Sequence, residues 1–297
     1  MARALVLRPA AKVNLMLRVG DRQPDGYHDV RTLMQSIGLS DTLTFTSRRG
    51  PFVLQCRAPG VPADASNLVW KTADALWRSA GRTDPPRDVH VRLDKLIPSE
   101  AGLGGGSADA AAALVGLNAV WGLGCSRREL MRIAGSLGAD VPFFLQGGTA
   151  LCAGRGDEVY PVDDAARLGI VVIKPSFGVS TANAYSWLDE DRASGKLPAH
   201  ERQPREIDIG WPTGPVLVAN DLEAPVARRH PGIVEMIDAC LREGALAAAM
   251  SGSGSAVYGV FPESVAIRAA KRLSRPDWLV LLTRTLTRQE AGRRNRL

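Results

Sequence analysis

The side chains and glycines best suited to chemistry in this chain crowd into one stretch. From Ile97 to Leu114 it reads Ile-Pro-Ser-Glu-Ala-Gly-Leu-Gly-Gly-Gly-Ser-Ala-Asp-Ala-Ala-Ala-Ala-Leu, with four glycines among residues 102–106. Glycine leaves the main chain bare and accepts positive φ, so a ligand can come close to backbone N–H groups. The alanine-rich run that follows predicts a helix, whose N-terminus supplies unpaired donors and the positive end of its dipole. Together they predict a phosphate cradle; a plain turn before a helix is the alternative. It is not a P-loop, because Gly106 is followed by Ser107-Ala108 with no lysine. Nor does it fit a dinucleotide fold. Val89, Val91 and Leu93 alternate with His90, Arg92 and Asp94 just upstream, whereas the strand before a dinucleotide loop is buried on both faces. The loop therefore follows a half-wet strand in a largely antiparallel sheet.

Four other places could do chemistry. Lys12 and Asn14 alternate with Val13 and Leu15, so one strand face presents a compact positive charge beside an amide. Asp140, ahead of Val141-Pro142-Phe143-Phe144, is either a helix N-cap or a general base in apolar surroundings, and the two roles are compatible. Asp25-Gly26-Tyr27-His28 is a turn signal followed by a ring that could stack and an imidazole that could hydrogen-bond an edge; plain hairpin structure is the alternative. Ser251-Gly252-Ser253-Gly254-Ser255 is a tight helix-to-strand turn or a second ligand-facing loop.

The elements that must position these residues follow from periodicity. Residues 13–19 and 30–39 predict strands, as do 43–46, 52–56, 89–93, 147–151, 169–174, 256–261 and, last, 278–286. Helical spacing covers 67–80, 107–121, 127–137, 233–243 and 263–273. The Pro-, Gly- and charge-rich stretch 195–215 reads as a long surface connection. Strands early and mixed elements later predict an α+β fold of two lobes with a cleft between them. The division is placed at 1–160, carrying the phosphate loop, and 161–297.

Composition narrows the class further. The 45% apolar content is ample for a core, and no apolar run approaches a membrane span. Cys56, Cys125, Cys152 and Cys240 are scattered without metal-ligand spacing, which predicts buried free thiols and a cytoplasmic protein. The net charge of +6 is spread along the chain, so a phosphorylated small molecule suits it better than nucleic acid or a membrane. Arg293, Arg294 and Arg296 read as a solvated basic tail.

Taken as an ordered set, Ala11-Lys12-Val13-Asn14-Leu15, the loop Pro98–Ala108, Ala139-Asp140-Val141-Pro142 and Ser251-Gly252-Ser253-Gly254 resemble the GHMP kinases. Asn220-Asp221-Leu222-Glu223 extends the resemblance over nearly the whole chain, and it is weakest at 195–215. Asp25-Gly26-Tyr27-His28 with Lys12 and Asn14 narrows it to members whose acceptor is a cytidine diphosphate ester of methylerythritol, on the non-mevalonate route to isoprenoid precursors. The resemblance implies the two-lobed fold of that family, an N-terminal lobe like ribosomal protein S5 domain 2 and a C-terminal ferredoxin-like lobe, with the active site between. It implies ATP and Mg²⁺, with Pro98, Ser99, Glu100, Ala101, Gly102, Leu103, Gly104, Gly105, Gly106, Ser107 and Ala108 around the ATP phosphates and no metal ligand identified. Asp140 would take the proton of the acceptor's 2-hydroxyl, and Lys12 would stabilise the developing charge. Tyr27 and Tyr185 would sandwich the cytosine, His28 would bond its edge, and Asn14 and Thr181 would help hold the acceptor. A monomer or weak homodimer is expected. Glu100 departs from the small residues of the pattern, and its charge beside phosphates predicts a side chain aimed at solvent or at a metal.

Overall fold

In the computed structural model, which describes residues 4–195, 205–210 and 214–295, the chain builds three sheets. The first orders β1 (Leu5–Leu7), β4 (Thr42–Pro51), β6 (Arg87–Asp94) and β5 (Val53–Cys56), antiparallel except for the β5–β6 pair. Val89, Val91 and Leu93 face inward as their alternation requires. Against them pack α1 (Leu68–Ser79), α2 (Gly105–Trp121) and α3 (Arg127–Leu137). Asn67 caps α1 by accepting from the Val69 N–H, and Ser126 with Glu129 forms a capping box on α3. The alanines of α2 are buried almost all round, and Gly116 leaves room for the Phe45 ring.

The second sheet orders β10 (Arg205–Ile207), β11 (Val216–Asn220), β2 (Ala10–Arg22), β3 (His28–Ser40), β7 (Thr149–Ala153) and β8 (Glu158–Pro161). It joins strands from both halves of the chain, because β11 pairs in parallel with β2. The third orders β12 (Ala247–Met250), β13 (Val257–Phe261), β9 (Gly169–Pro175) and β14 (Trp278–Arg284), all antiparallel. One face of β9, Ile170 and Val172, packs on Ala11, Val13 and Leu15 of β2. The other, Val171 and Ile173, lies under α5 (Thr181–Ala193), α6 (Glu223–Arg229), α7 (Gly232–Arg242) and α8 (Glu263–Leu273). No helix among the described residues is long and apolar enough to cross a membrane.

Several expectations are corrected. Within the strand expected at 13–19 the β2–β3 register slips between Asn14 and Met16, so Val13 and Leu15 enter one core while Leu17 and Val19 join the one under the helices. The stretch 195–215 is not all surface connection. Residues 196–204 and 211–213 lie outside the described residues, but Arg205–Ile207 is a strand and Ile207 and Ile209 are buried. Ser251–Ser255 joins two strands, β12 and β13, rather than a helix to a strand. The C-terminus is a helix, α9 (Arg288–Asn295), not a solvated tail. Arg294 donates to the Gly38 carbonyl at 3.3 Å and to Ser40 Oγ at 2.6 Å, while Arg296 lies outside the described residues. Cys152 and Cys240 are buried free thiols, but Cys56 and Cys125 are only half-buried.

Candidate active site

The loop from Pro98 to Gly104 leaves β6 and delivers α2. Four consecutive loop carbonyls are taken by the protein. Leu103 accepts from the Lys12 N–H at 3.0 Å and Ala101 from the Ala256 N–H at 3.2 Å; Glu100 accepts from the Ser255 N–H at 3.3 Å and Gly102 from Ser251 Oγ at 2.9 Å. Among the described residues the Glu100–Leu103 amides donate to no backbone carbonyl. At the start of α2 the first hydrogen bond runs from the Ala108 N–H to the Gly104 carbonyl, so the N–H groups of Gly104, Gly105, Gly106 and Ser107 are the orphan donors of the helix end. Two glycines are obligatory for this close packing. Gly102 has φ +71°, and a side chain there would overlap the Ser251 carbonyl; Gly104, also at +71°, lies against the Phe144 ring and the Lys12 stem.

Beneath the loop sits a buried triad absent from the sequence-based expectations. Lys95 Nζ donates to Asp41 Oδ2 at 2.5 Å and to Asp109 Oδ2 at 2.7 Å. Asp41 Oδ1 accepts from the Leu96 and Ile97 N–H groups, fixing where the strand ends and the loop begins. Burial pushes the Asp109 carboxyl up to about 8, against the pull of Lys95, and its Oδ1 is buried without a partner. A lysine three residues before Pro98 and one acid in an alanine helix were the available signals.

Lys12 is only 3% exposed. Its Nζ donates to Asn14 Oδ1 at 2.6 Å and stands 3.5 Å from Asp140 Oδ2. Asn14 Nδ2 in turn donates to Thr32 Oγ1 at 2.7 Å, and Thr32 Oγ1 donates to the Met16 carbonyl at 2.7 Å. Both ends of the Asn14 amide are therefore engaged in orienting Lys12. Thr32 escaped notice in the sequence because it lies across the β2–β3 pair. Asp140 occupies the N-cap position of α4 (Val141–Gln146) but makes no capping bond. Its side chain is about a third exposed, so it is not enclosed by apolar groups; the buried apolar residues are those of α4 behind it. Burial and the nearby Asp140 charge push both the Tyr185 hydroxyl and the Cys152 thiol up to about 12. Cys152 is thus a packing residue and no nucleophile.

At the far end, Tyr27 is 58% exposed. The Arg155 guanidinium lies 4.4 Å from its ring centroid and pairs with Asp25 at 2.5 Å. The Tyr27 N–H, bonded to Asp25, holds that carboxyl below its ordinary range. His28 opens β3 and is buried; its Nε2 is 2.9 Å from Asp189 Oδ1 on α5, and its ring is 5.2 Å from that of Tyr185. Thr181 begins α5, capped by Ser180, and its hydroxyl is 3.2 Å from Ser253 Oγ.

These groups line one cleft of about 1230 Å³, fed by elements from both halves of the chain. Lys12, Asn14, Tyr27, His28, Asp140, Thr181, Tyr185 and the whole loop from Pro98 to Ser107 line it. Ala108 does not: it is fully buried in the first turns of α2. Glu100 has φ +50° and is exposed, its carboxylate lying over Gly178 where a side chain would collide with it. The nearby Lys174 ammonium is anchored on the Pro175 and Phe177 carbonyls. Among the described residues no group of three or more His, Cys, Asp or Glu side chains is arranged to hold a metal ion.

Residues 67–148 and 206–276 match the models for the GHMP kinases N terminal domain and the GHMP kinases C terminal. The chain belongs to the GHMP kinases. It is 40% identical over 286 residues to the 4-diphosphocytidyl-2-C-methyl-D-erythritol kinase of Geobacter sulfurreducens, covering 95% of this chain and 99% of that protein. To the 4-diphosphocytidyl-2-C-methyl-D-erythritol kinase of Pelotomaculum thermopropionicum it is 41% identical over 278 residues, covering 93% and 96%. A crystal structure of 4-(cytidine 5'-diphospho)-2C-methyl-D-erythritol kinase superposes with a TM-score of 0.75 at 32% identity, over 95% of this chain and 99% of that one.

Proposed function

We propose that the chain phosphorylates the 2-hydroxyl of 4-diphosphocytidyl-2-C-methyl-D-erythritol with ATP, in the non-mevalonate route to isoprenoid precursors. The observation that carries the chemistry is the immediate contact between phosphate loop and acid–base pair. The Lys12 stem lies against Gly104, its ammonium lies beside Gly252, and Asp140 is 3.5 Å further on. Near-full-length identity of about 40% to kinases of that name supports the acceptor.

In this reading the orphan amides of Gly104–Ser107 hold the triphosphate, as a helix N-terminus holds any anion. The acceptor enters from the opposite end, with its cytosine between Tyr27 and Tyr185 and its edge at His28. Asp140 accepts the proton of the 2-hydroxyl as that oxygen attacks the γ-phosphorus; the bond to the β–γ bridging oxygen breaks, and ADP leaves. Lys12 stays charged and neutralises the oxygens of the transferring group, which is the main demand phosphoryl transfer makes on a protein. Mg²⁺ would neutralise phosphate charge when bound with ATP. Ser107 and Glu100 are the loop side chains lining the cleft that could offer it an oxygen. The same proposal includes a division into residues 1–160 and 161–297, cytoplasmic localisation and a monomer or weak homodimer.

The test is ADP release by the purified chain against a panel of alcohols that includes the cytidyl ester, homoserine and mevalonate. A product heavier by one phosphoryl group is expected from the cytidyl ester alone. Turnover of another alcohol in its place would refute the assignment.

A further inference from the structure

The chemistry above leaves Asp189 without a task, although it lines the same cleft and is the hydrogen-bond partner of the His28 ring. His28 is buried, with a side chain 4% exposed, and its Nε2 lies 2.9 Å from Asp189 Oδ1. An ionised carboxylate can only accept, so the proton between them belongs to Nε2. In a neutral imidazole that choice leaves a lone pair on Nδ1, which bonds to no protein group among the described residues. A partner on one ring nitrogen thereby decides what the other nitrogen offers the cleft.

Two pyrimidines differ at the edge such a nitrogen would meet. Cytosine presents a 4-amino donor where uracil presents a carbonyl acceptor. A lone pair on Nδ1 suits the amine and opposes the carbonyl. We propose that Asp189 is a positioning residue that fixes His28 as the Nε2–H tautomer and thereby makes the site select a cytosine over a uracil diphosphate ester. The inference rests on the cytidyl acceptor proposed above and adds to it the group that sets base selectivity.

The experiment compares kcat/KM for the cytidyl ester and its uridyl counterpart in the full chain and in Asp189→Ala. The unsubstituted protein is expected to favour the cytidyl ester by about 10–100-fold, the discrimination of one well-formed base contact. Asp189→Ala should bring that ratio close to one, mainly through KM for the cytidyl ester, with KM for ATP unchanged. Imidazole ¹⁵N shifts give a readout of the tautomer independent of turnover. His28 should show the Nε2–H tautomer in the full chain and a mixture in the variant. Asp189→Glu, which keeps an acceptor, should restore part of the ratio and serves if the alanine variant does not fold. Selectivity that survives in folded Asp189→Ala, or an Nδ1–H tautomer in the full chain, would overturn the inference while leaving the acceptor assignment standing. Failure of the full chain to use the cytidyl ester would instead remove the assignment and the inference with it.

Discussion

Gly106→Ala separates a glycine kept for a ligand from one kept for the fold. Gly106 is the second residue of α2 and exposed to the cleft, and no atom lies within 4 Å of where its Cβ would stand. Its φ is not left-handed. Alanine therefore costs the folded protein nothing, and helix propensity favours it by up to about 1 kcal/mol, less in a first turn. The methyl instead stands where the triphosphate must approach the amides of residues 104–107. Losing one charge-assisted hydrogen bond costs about 1.5–3 kcal/mol, and each 1.4 kcal/mol is roughly a factor of ten in affinity. The Kd for ATP should then rise about 10–100-fold, while melting temperature and acceptor affinity stay level. Gly102→Ala is the control with the opposite signature. Its +71° φ and the overlap with the Ser251 carbonyl should cost about 2–3 kcal/mol of stability, from left-handed strain and the lost Ser251–Gly102 bond. Isothermal titration with ATP and thermal melts of both variants give the answer. Normal ATP binding by Gly106→Ala would refute the placement of the phosphates at the head of α2.

Asp140→Asn should leave ATP binding near normal and lower kcat by about 10²–10⁴, the range for a lost general base; near-normal turnover in steady-state assays would remove that role. Asp41→Ala removes one of the two carboxylates on the buried Lys95 ammonium and strands the Leu96 and Ile97 amides, and should cost about 3–5 kcal/mol in urea denaturation. Glu290, hydrogen-bonded by Arg284, has its carboxyl held down at about 2. A lowered folded-state value stabilises above the ordinary carboxyl range and is lost as pH falls through about 2. Because the side chain is about a third exposed, Glu290→Gln should lose only about 1 kcal/mol at pH 7, and its deficit in urea denaturation should shrink steadily on acidification; a gap independent of pH would count against the pair.

What the sequence made legible was whatever one element encodes by itself. The alternation at 89–93 revealed a half-buried strand, the alanine run revealed α2, and α3 and α8 begin and end where their spacing indicates. The helices α4, α5 and α6 escaped for different reasons. Six residues of α4 do not complete two turns, α6 carries a proline, and α5 has no apolar stripe because its buried face includes Asp191 beside Ala184 and Leu188. Site residues were legible where they sit in dense local patterns, such as Gly102–Ser107. Those supplied by tertiary pairing were not. Thr32 reaches Asn14 across a strand pair, Asp189 reaches His28 from 161 positions away, and Asp41 meets Lys95 across two strands. Nothing in a threonine or aspartate seen alone announces such a partner.

The looseness of the central ion pair follows from one of these hidden partners. A buried lysine needs an acceptor, and a carboxylate beside it is the ordinary solution. Here the short bond, 2.6 Å, goes to the neutral Asn14 amide, while Asp140 stays 3.5 Å away with no capping bond. Had Asp140 taken the short bond, one of its oxygens would be tied to Lys12 and that carboxylate would be a weaker acceptor for a hydroxyl proton. Thr32 prevents that exchange by holding the amide nitrogen of Asn14, which turns the Asn14 oxygen toward Lys12. Lys12 is therefore held in place through Asn14, and on the proposed mechanism Asp140 is left free to meet the acceptor. On this reasoning, Asn14 contributes to turnover chiefly by leaving Asp140 unoccupied.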